Sequence, residues 1–153
     1  MTQEQEIRNA IVDRLLDQTL AADRVYPMQR EPSPTDVMPQ IAIYTLETPS
    51  ENQRGNVGER RASQVKVVLY EKGPHKPATE AASADFKLDA IREQVENLLN
   101  VQEDYLGVSR VVQKSYQGFR TETNKDQPQQ AELRLACVLT YNFDYIYDNK
   151  GAQ

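Results

Sequence analysis

The chain has 153 residues, 39% hydrophobic and 27% charged, with a formal net charge of -5 and a mean hydropathy of -0.72. That length suits one domain, residues 1–153, around one modest core, and the acidic balance excludes a global basic footprint for nucleic acid. A single cysteine excludes an internal disulfide and fits a cytosolic compartment, and no apolar run approaches the ~20 residues that span a bilayer.

The opening MTQEQEIRNA lacks the basic region and apolar run of a signal peptide. Gln3 to Leu20 reads as an amphipathic helix: Ile7, Ala10, Ile11 and Leu15 follow helical spacing, and Thr2 with Gln5 matches a capping box. A short extended piece, Arg24 to Pro27, leads into a proline-bearing loop from Met28 to Met38. Prolines lack an amide donor and stiffen the path, so this loop is expected to be ordered but irregular.

Gln40 to Glu47 alternates, with apolar residues on both faces, as in a strand inside a sheet. A polar, glycine-bearing connection, Thr48 to Glu59, separates it from a second strand, Arg60 to Glu71, in which Val65, Val67 and Leu69 share a face. Two strands so connected predict a hairpin, with a tip longer than a hairpin requires. Lys72 to Pro77 forms a turn, and Thr79 or Ser83 opens a second helix that runs to Leu99. Its stripe of Ala81, Ala84, Leu88, Ile91, Val95 and Leu98 is a buried face.

A strand from Val108 to Phe119 and a polar loop from Thr121 to Gln130 follow, then a final strand from Ala131 to Tyr147. In that last strand Leu133, Leu135, Cys137, Leu139, Tyr141, Phe143 and Tyr145 take every second position, and mainly polar residues lie between them. One apolar face and one largely polar face are therefore expected. Its length, about 15 residues, exceeds the usual ~5–6, which suggests a ribbon reaching past its own domain. The predicted order is α-β-β-β-α-β-β. It gives an α+β two-layer sandwich with a mixed, mainly antiparallel sheet of four to five strands and two helices on one face.

No catalytic, cofactor or metal set stands out. His75, the single histidine, lies in a proline-flanked turn; a general base needs an orienting partner in reach, and one histidine does not make a serine or cysteine triad convincing. Cys137 falls on the apolar face, as a buried structural thiol would. Glu132, Asp144 and Asp148 are carboxylates of a solvated strand, and Gly55 with Gly58 is too little for a phosphate loop. Glu71 with Lys72 is a faint echo of a metal-dependent nuclease site, with the wrong spacing and no third ligand. The charged residues of the two hairpin tips are the candidates for protein contact: Arg54, Arg60 and Arg61 in the first, Lys125 and Asp126 in the second.

Taken in order, IRNAIVDRLLDQ, MPQIAIYTLE, a polar loop with arginines, QVKVVLYEKG, ADFKLDAIREQVENLL and ELRLACVLTYNFDY resemble the tail terminator proteins of long-tailed bacteriophages, the lambda minor tail protein U type. The resemblance covers most of the chain and lies in element order and strand texture. It implies a non-enzymatic virion protein, assembled in the host cytoplasm and located at the tail end or neck. Such proteins form hexameric rings that cap the tail tube, stop its polymerisation and present a surface to the head. The implied partners are copies of the chain itself, the major tail tube protein and a head–tail connector or neck protein. DNA passes through the lumen without specific binding. Neck, connector and tail-completion proteins share similar folds and form the alternative; a small metal-dependent nuclease is the distant one.

Overall fold

The computed structural model describes residues 1–48, 50–52, 59–101, 105–123 and 132–147. The elements are α1 (Gln3–Leu15), β1 (Val25–Tyr26), β2 (Gln40–Glu47), β3 (Ser50–Asn52), β4 (Glu59–Gly73), α2 (Ala84–Leu99), β5 (Val111–Thr123) and β6 (Leu133–Tyr147). The sheet order is β1-β2-β4-β6-β5, with β3 also on β4. β2 and β3 are both antiparallel to β4, along the same edge, so β3 continues the line of β2 and the sheet has five rows. Only β1 and β2 pair in parallel. The result is the expected α+β sandwich, with mixed sheet and both helices on one face.

β6 holds the sheet together. It pairs with β4 from Glu59↔Tyr147 to Gly73↔Leu133 and with β5 on its other side. Its alternate residues, Leu133 to Tyr145, are all at most 8% exposed and face Ile7, Ile11 and Leu15 of α1 and Leu88, Ile91, Val95 and Leu99 of α2. The expected ribbon beyond the domain is therefore not seen as far as Tyr145. α1 extends the helical cover to that end, and the Tyr145 hydroxyl donates to the Glu4 carboxylate at 2.5 Å. Cys137 is buried in this core, and burial pushes its thiol up to about 11, an inert structural setting.

Local chemistry explains the helix ends. The Gln5 amide donates to the Thr2 hydroxyl at 3.1 Å and the Thr2 amide to the Gln5 side chain at 2.7 Å, the reciprocal capping box expected from sequence. α1 stops at Leu15, five residues before the expected Leu20. Asp17 takes a left-handed φ of 58°, which breaks the helical path. Ser83 caps α2, accepting from the Phe86 amide at 3.2 Å. The C-terminal end of α2 is closed by Lys114, whose Nζ donates to the Leu99 carbonyl at 2.5 Å. Gly73 is required where β4 meets this layer: a Cβ there would lie 2.8 Å from the Ala84 nitrogen.

β5 differs most from expectation. It starts at Val111, because Arg110 has a φ of 70°, and runs on to Thr123. A register break between Tyr116 and Phe119, with Gly118 at φ 95°, shifts the alternation. The 3.6- and 2-residue periods cannot reveal such a bulge, so the expected strand ended four residues early.

Leu139 is fully buried at the sheet centre. Leu139→Ala is expected to cost about 2–5 kcal/mol through lost transfer energy and the cavity left behind. Urea unfolding followed by circular dichroism would measure it.

Candidate functional site

Side chains of neighbouring strand residues point to opposite faces, and this decides where each candidate lies. Arg60 and Arg61 read as one cluster in the sequence. The structure puts them back to back. Arg60 is on the helix-free face, 2.7 Å from the Asp144 carboxylate and 3.4 Å from the Gln113 side chain. Arg61 pairs in register with Tyr145 on the helix side, where it acts on Glu4. Burial pushes the Glu4 carboxyl up, but the Tyr145 hydroxyl, its own amide and Arg61 outweigh this and hold it below its ordinary value. Both arginines thus serve the fold directly. Arg54, Lys125 and Asp126 lie outside the described residues.

The same alternation separates Glu71 from Lys72. Glu71 faces the core and is 5% exposed. Lys72 faces outward, 3.3 Å from the Pro34 carbonyl and 3.8 Å from Glu132. The pair does not face one site. Glu132 and Asp144 flank opposite ends of β6, and Asp148 lies outside the described residues. His75 is exposed in its turn. Among the described residues no three His, Cys, Asp or Glu side chains converge as metal ligands, and no helix is long and apolar enough to cross a membrane.

The feature absent from the sequence reading is a strap. Three outward side chains of β4 and β6 bind alternate carbonyls of the proline-bearing segment that follows β1. The Tyr70 hydroxyl donates to the Arg30 carbonyl at 2.7 Å, Arg134 to that of Pro32 at 2.5 Å, and Lys72 to that of Pro34. Pro32 is buried against the sheet. Arg30 stacks over Tyr26 at 4.3 Å, bonds Gln40 at 3.0 Å and pairs with Asp36 at 3.4 Å. Prolines remove donors but leave carbonyls, so such a segment docks through its acceptors. The expected ordered, irregular loop is therefore a cover on one end of the sheet's outer face. The signal was available in principle: Tyr70, Lys72 and Arg134 are the outward donors of two paired strands.

Beside the strap a groove of about 590 Å³ remains open. Val68, Ala136 and Val138 form its floor, Tyr44 and Tyr70 its aromatic wall, and Arg30, Glu31, Arg120 and Glu122 its charged rim. The rest of the outer face carries Lys66, bonded to Thr140 at 2.8 Å. Among the described residues this face thus lacks a helical layer and combines an apolar floor with a charged rim.

No protein-family model matches the sequence, and no curated protein matches it. Among solved structures, a chain described as "Virion of native gene transfer agent (GTA) particle" has a similar fold. It superposes with a TM-score of 0.57 at 14% identity, over 90% of this chain and 93% of that one.

Two outcomes follow from the buried and paired groups. Burial, opposed by the Lys72 amide, Lys87, Arg24 and Lys72, raises the Glu71 carboxyl above its ordinary 4.5. The folded chain then binds this proton more tightly than the unfolded one, so stability falls as pH rises from 4.5 through the raised value. Glu71→Gln is expected to remove that slope and raise the melting temperature at pH 7, as thermal unfolding between pH 4.5 and 7 would show. Arg60→Glu sets like charges together at a partly exposed position and is expected to cost about 0.5–1 kcal/mol in chemical denaturation.

Proposed function

We propose that the chain is a virion assembly protein, a ring-forming tail terminator that caps the tail tube, stops its polymerisation and presents the head-joining surface. The observation that carries this reading is the fold itself: near full-length similarity to a chain of a phage-like particle, in the element order that the sequence shares with tail terminators. Two features of the described residues support it. The titratable groups of the core, Glu4, Cys137, Tyr141 and Tyr145, are tied into packing and hydrogen bonds of the fold. One sheet face, lacking helices, is open to a neighbour.

A ring needs heterologous contacts that close on themselves, so each copy must present two different surfaces. This architecture provides two, an outer sheet face and a helical layer. The partners under this reading are other copies, the tube protein below and a connector above, with DNA passing through the lumen without specific contacts. The similar chain is described as part of a virion particle and no more, which leaves a neck or head–tail connector as the second reading. A terminator binds tube protein; a connector binds the portal-side adaptor instead, and pull-down against each separates them.

Light scattering and negative-stain imaging of the purified chain are expected to show closed rings, most simply hexamers. A strict monomer that stays monomeric when mixed with tube protein would contradict the reading.

A further inference from the structure

β5 is the last row of the sheet on one side, and among the described residues it pairs with β6 alone. Its other edge therefore presents a row of backbone donors and acceptors that no described strand takes up. At 13 residues it is well over the usual strand length of ~5–6. Edges are normally kept short, or blunted by proline and bulges. β5 holds no proline. Its bulge lies between Tyr116 and Phe119, so Phe119–Thr123 beyond it is a regular, open run.

α2 runs alongside this edge on the helix side, antiparallel to β5. Lys114 reaches the Leu99 carbonyl, the Tyr116 hydroxyl donates to Glu96 at 2.9 Å, and Arg92 stacks over Phe119 at 4.0 Å. At helical spacing, Asp89 and Asp85 continue this line towards the Thr123 end. A groove of about 540 Å³ on this flank is lined by Glu80, Phe86, Asp89, Arg92, Glu93 and Glu96. Asp89 and Glu96 share Arg92 at 3.2 Å each. Glu80, Asp85 and Glu93 are exposed, and none has a side-chain partner among the described residues. One cation among these carboxylates leaves the flank strongly acidic. Phe86 and Phe119 are both about half exposed.

We propose that the Phe119–Thr123 edge and the acidic flank of α2 together bind an extended, basic segment of a different protein chain, which adds to the sheet as a further strand. An open sheet edge specifies the backbone form of its occupant, because another strand satisfies its amides and carbonyls in register. The added strand lies about 4.8 Å beyond β5, with every second side chain turned towards the flank of α2. Lysine or arginine suits those positions. The aliphatic stem covers the exposed Phe119 and Phe86 rings, and the charged head meets Glu80, Asp85 and Glu93. Arg92 already makes such a contact within the chain, a guanidinium over Phe119 between two carboxylates. On the other face the strand meets Arg120 and Glu122, which pair with each other at 3.2 Å and favour neither sign. The open edges of a second copy do not supply such a strand: β2 and β3 carry no cation, and Lys114 of β5 is bound to the Leu99 carbonyl. The proposal does not rest on the terminator reading.

The probe is the synthetic peptide Lys-Val-Lys-Val-Lys-Val-Lys. Its control, Lys-Val-Lys-Pro-Lys-Val-Lys, has the same charge, but its proline removes a strand donor. Added to the full chain, the first peptide is expected to slow amide hydrogen exchange at residues 119–123. By calorimetry the control is expected to bind about tenfold more weakly or worse. Glu80→Lys with Glu93→Lys changes two exposed positions, so the fold is expected to hold by circular dichroism. This variant is expected to bind the first peptide about tenfold more weakly or worse. No binding at roughly millimolar peptide would overturn the proposal. So would equal binding of both peptides without protection of residues 119–123, which is adsorption of charge to an acidic surface. Protection of residues 119–123 that grows with protein concentration, with no peptide present, would assign the edge to a second copy and overturn it as well. Ring formation, read by imaging, reports on the terminator reading separately.

Discussion

The whole molecule depends on burying one face of β6. This strand is hydrogen-bonded along both edges, to β4 and β5, and its inward side chains make the floor on which both helices rest. A strand paired on both sides has no free edge to slip, and one apolar face fixes its register, since a one-residue shift would expose every inward residue. Large aromatic residues finish the core: Tyr141 stacks on Tyr116 with ring centroids 4.8 Å apart, and its hydroxyl donates to the Asn100 side chain at 2.6 Å. Polar tips are thus satisfied at the core margin rather than inside it.

From that constraint the functional surfaces follow. Because both helices are needed on the inward face, the described cover of the outward face is the strap, fixed by Tyr70, Lys72 and Arg134. The same strand alternation that buries Glu71 turns Lys72 outward, and the same alternation divides Arg60 from Arg61. Charge that looks clustered in the sequence is distributed between the two sides of the sheet. Neighbouring charges on a strand do not share a site.

The sequence made much of this fold legible. Period-2 alternation in β4 and β6 and the 3-4 stepping of Leu88, Ile91 and Val95 identify the core directly, because each is a long segment with one buried face. The Thr2–Gln5 cap was equally readable, since it needs only local spacing. Less legible were features set by backbone turns or distant partners. The early end of α1 at Asp17, the bulge at Gly118 and the continuation of β2 as β3 leave no periodic trace. The strap needs side chains about 40 to 100 positions away in sequence, at Tyr70 and Arg134. The candidate surface was legible only as a solvated polar face; its groove depends on that long-range cover. Arg60 and Arg61 read in the sequence as one candidate contact patch; the structure adds an intramolecular partner for each, Asp144 for Arg60 and Glu4 for Arg61.

The most direct test of the account, that this chain is a building block which ends a polymer, is the length of tail tubes assembled in its presence. Purified tube protein polymerised with and without the chain would be measured by electron microscopy. The account gives tubes that stop growing once the chain is added and that carry extra density at one end. Tubes that elongate equally in both samples, with the chain left free in the supernatant, would contradict it.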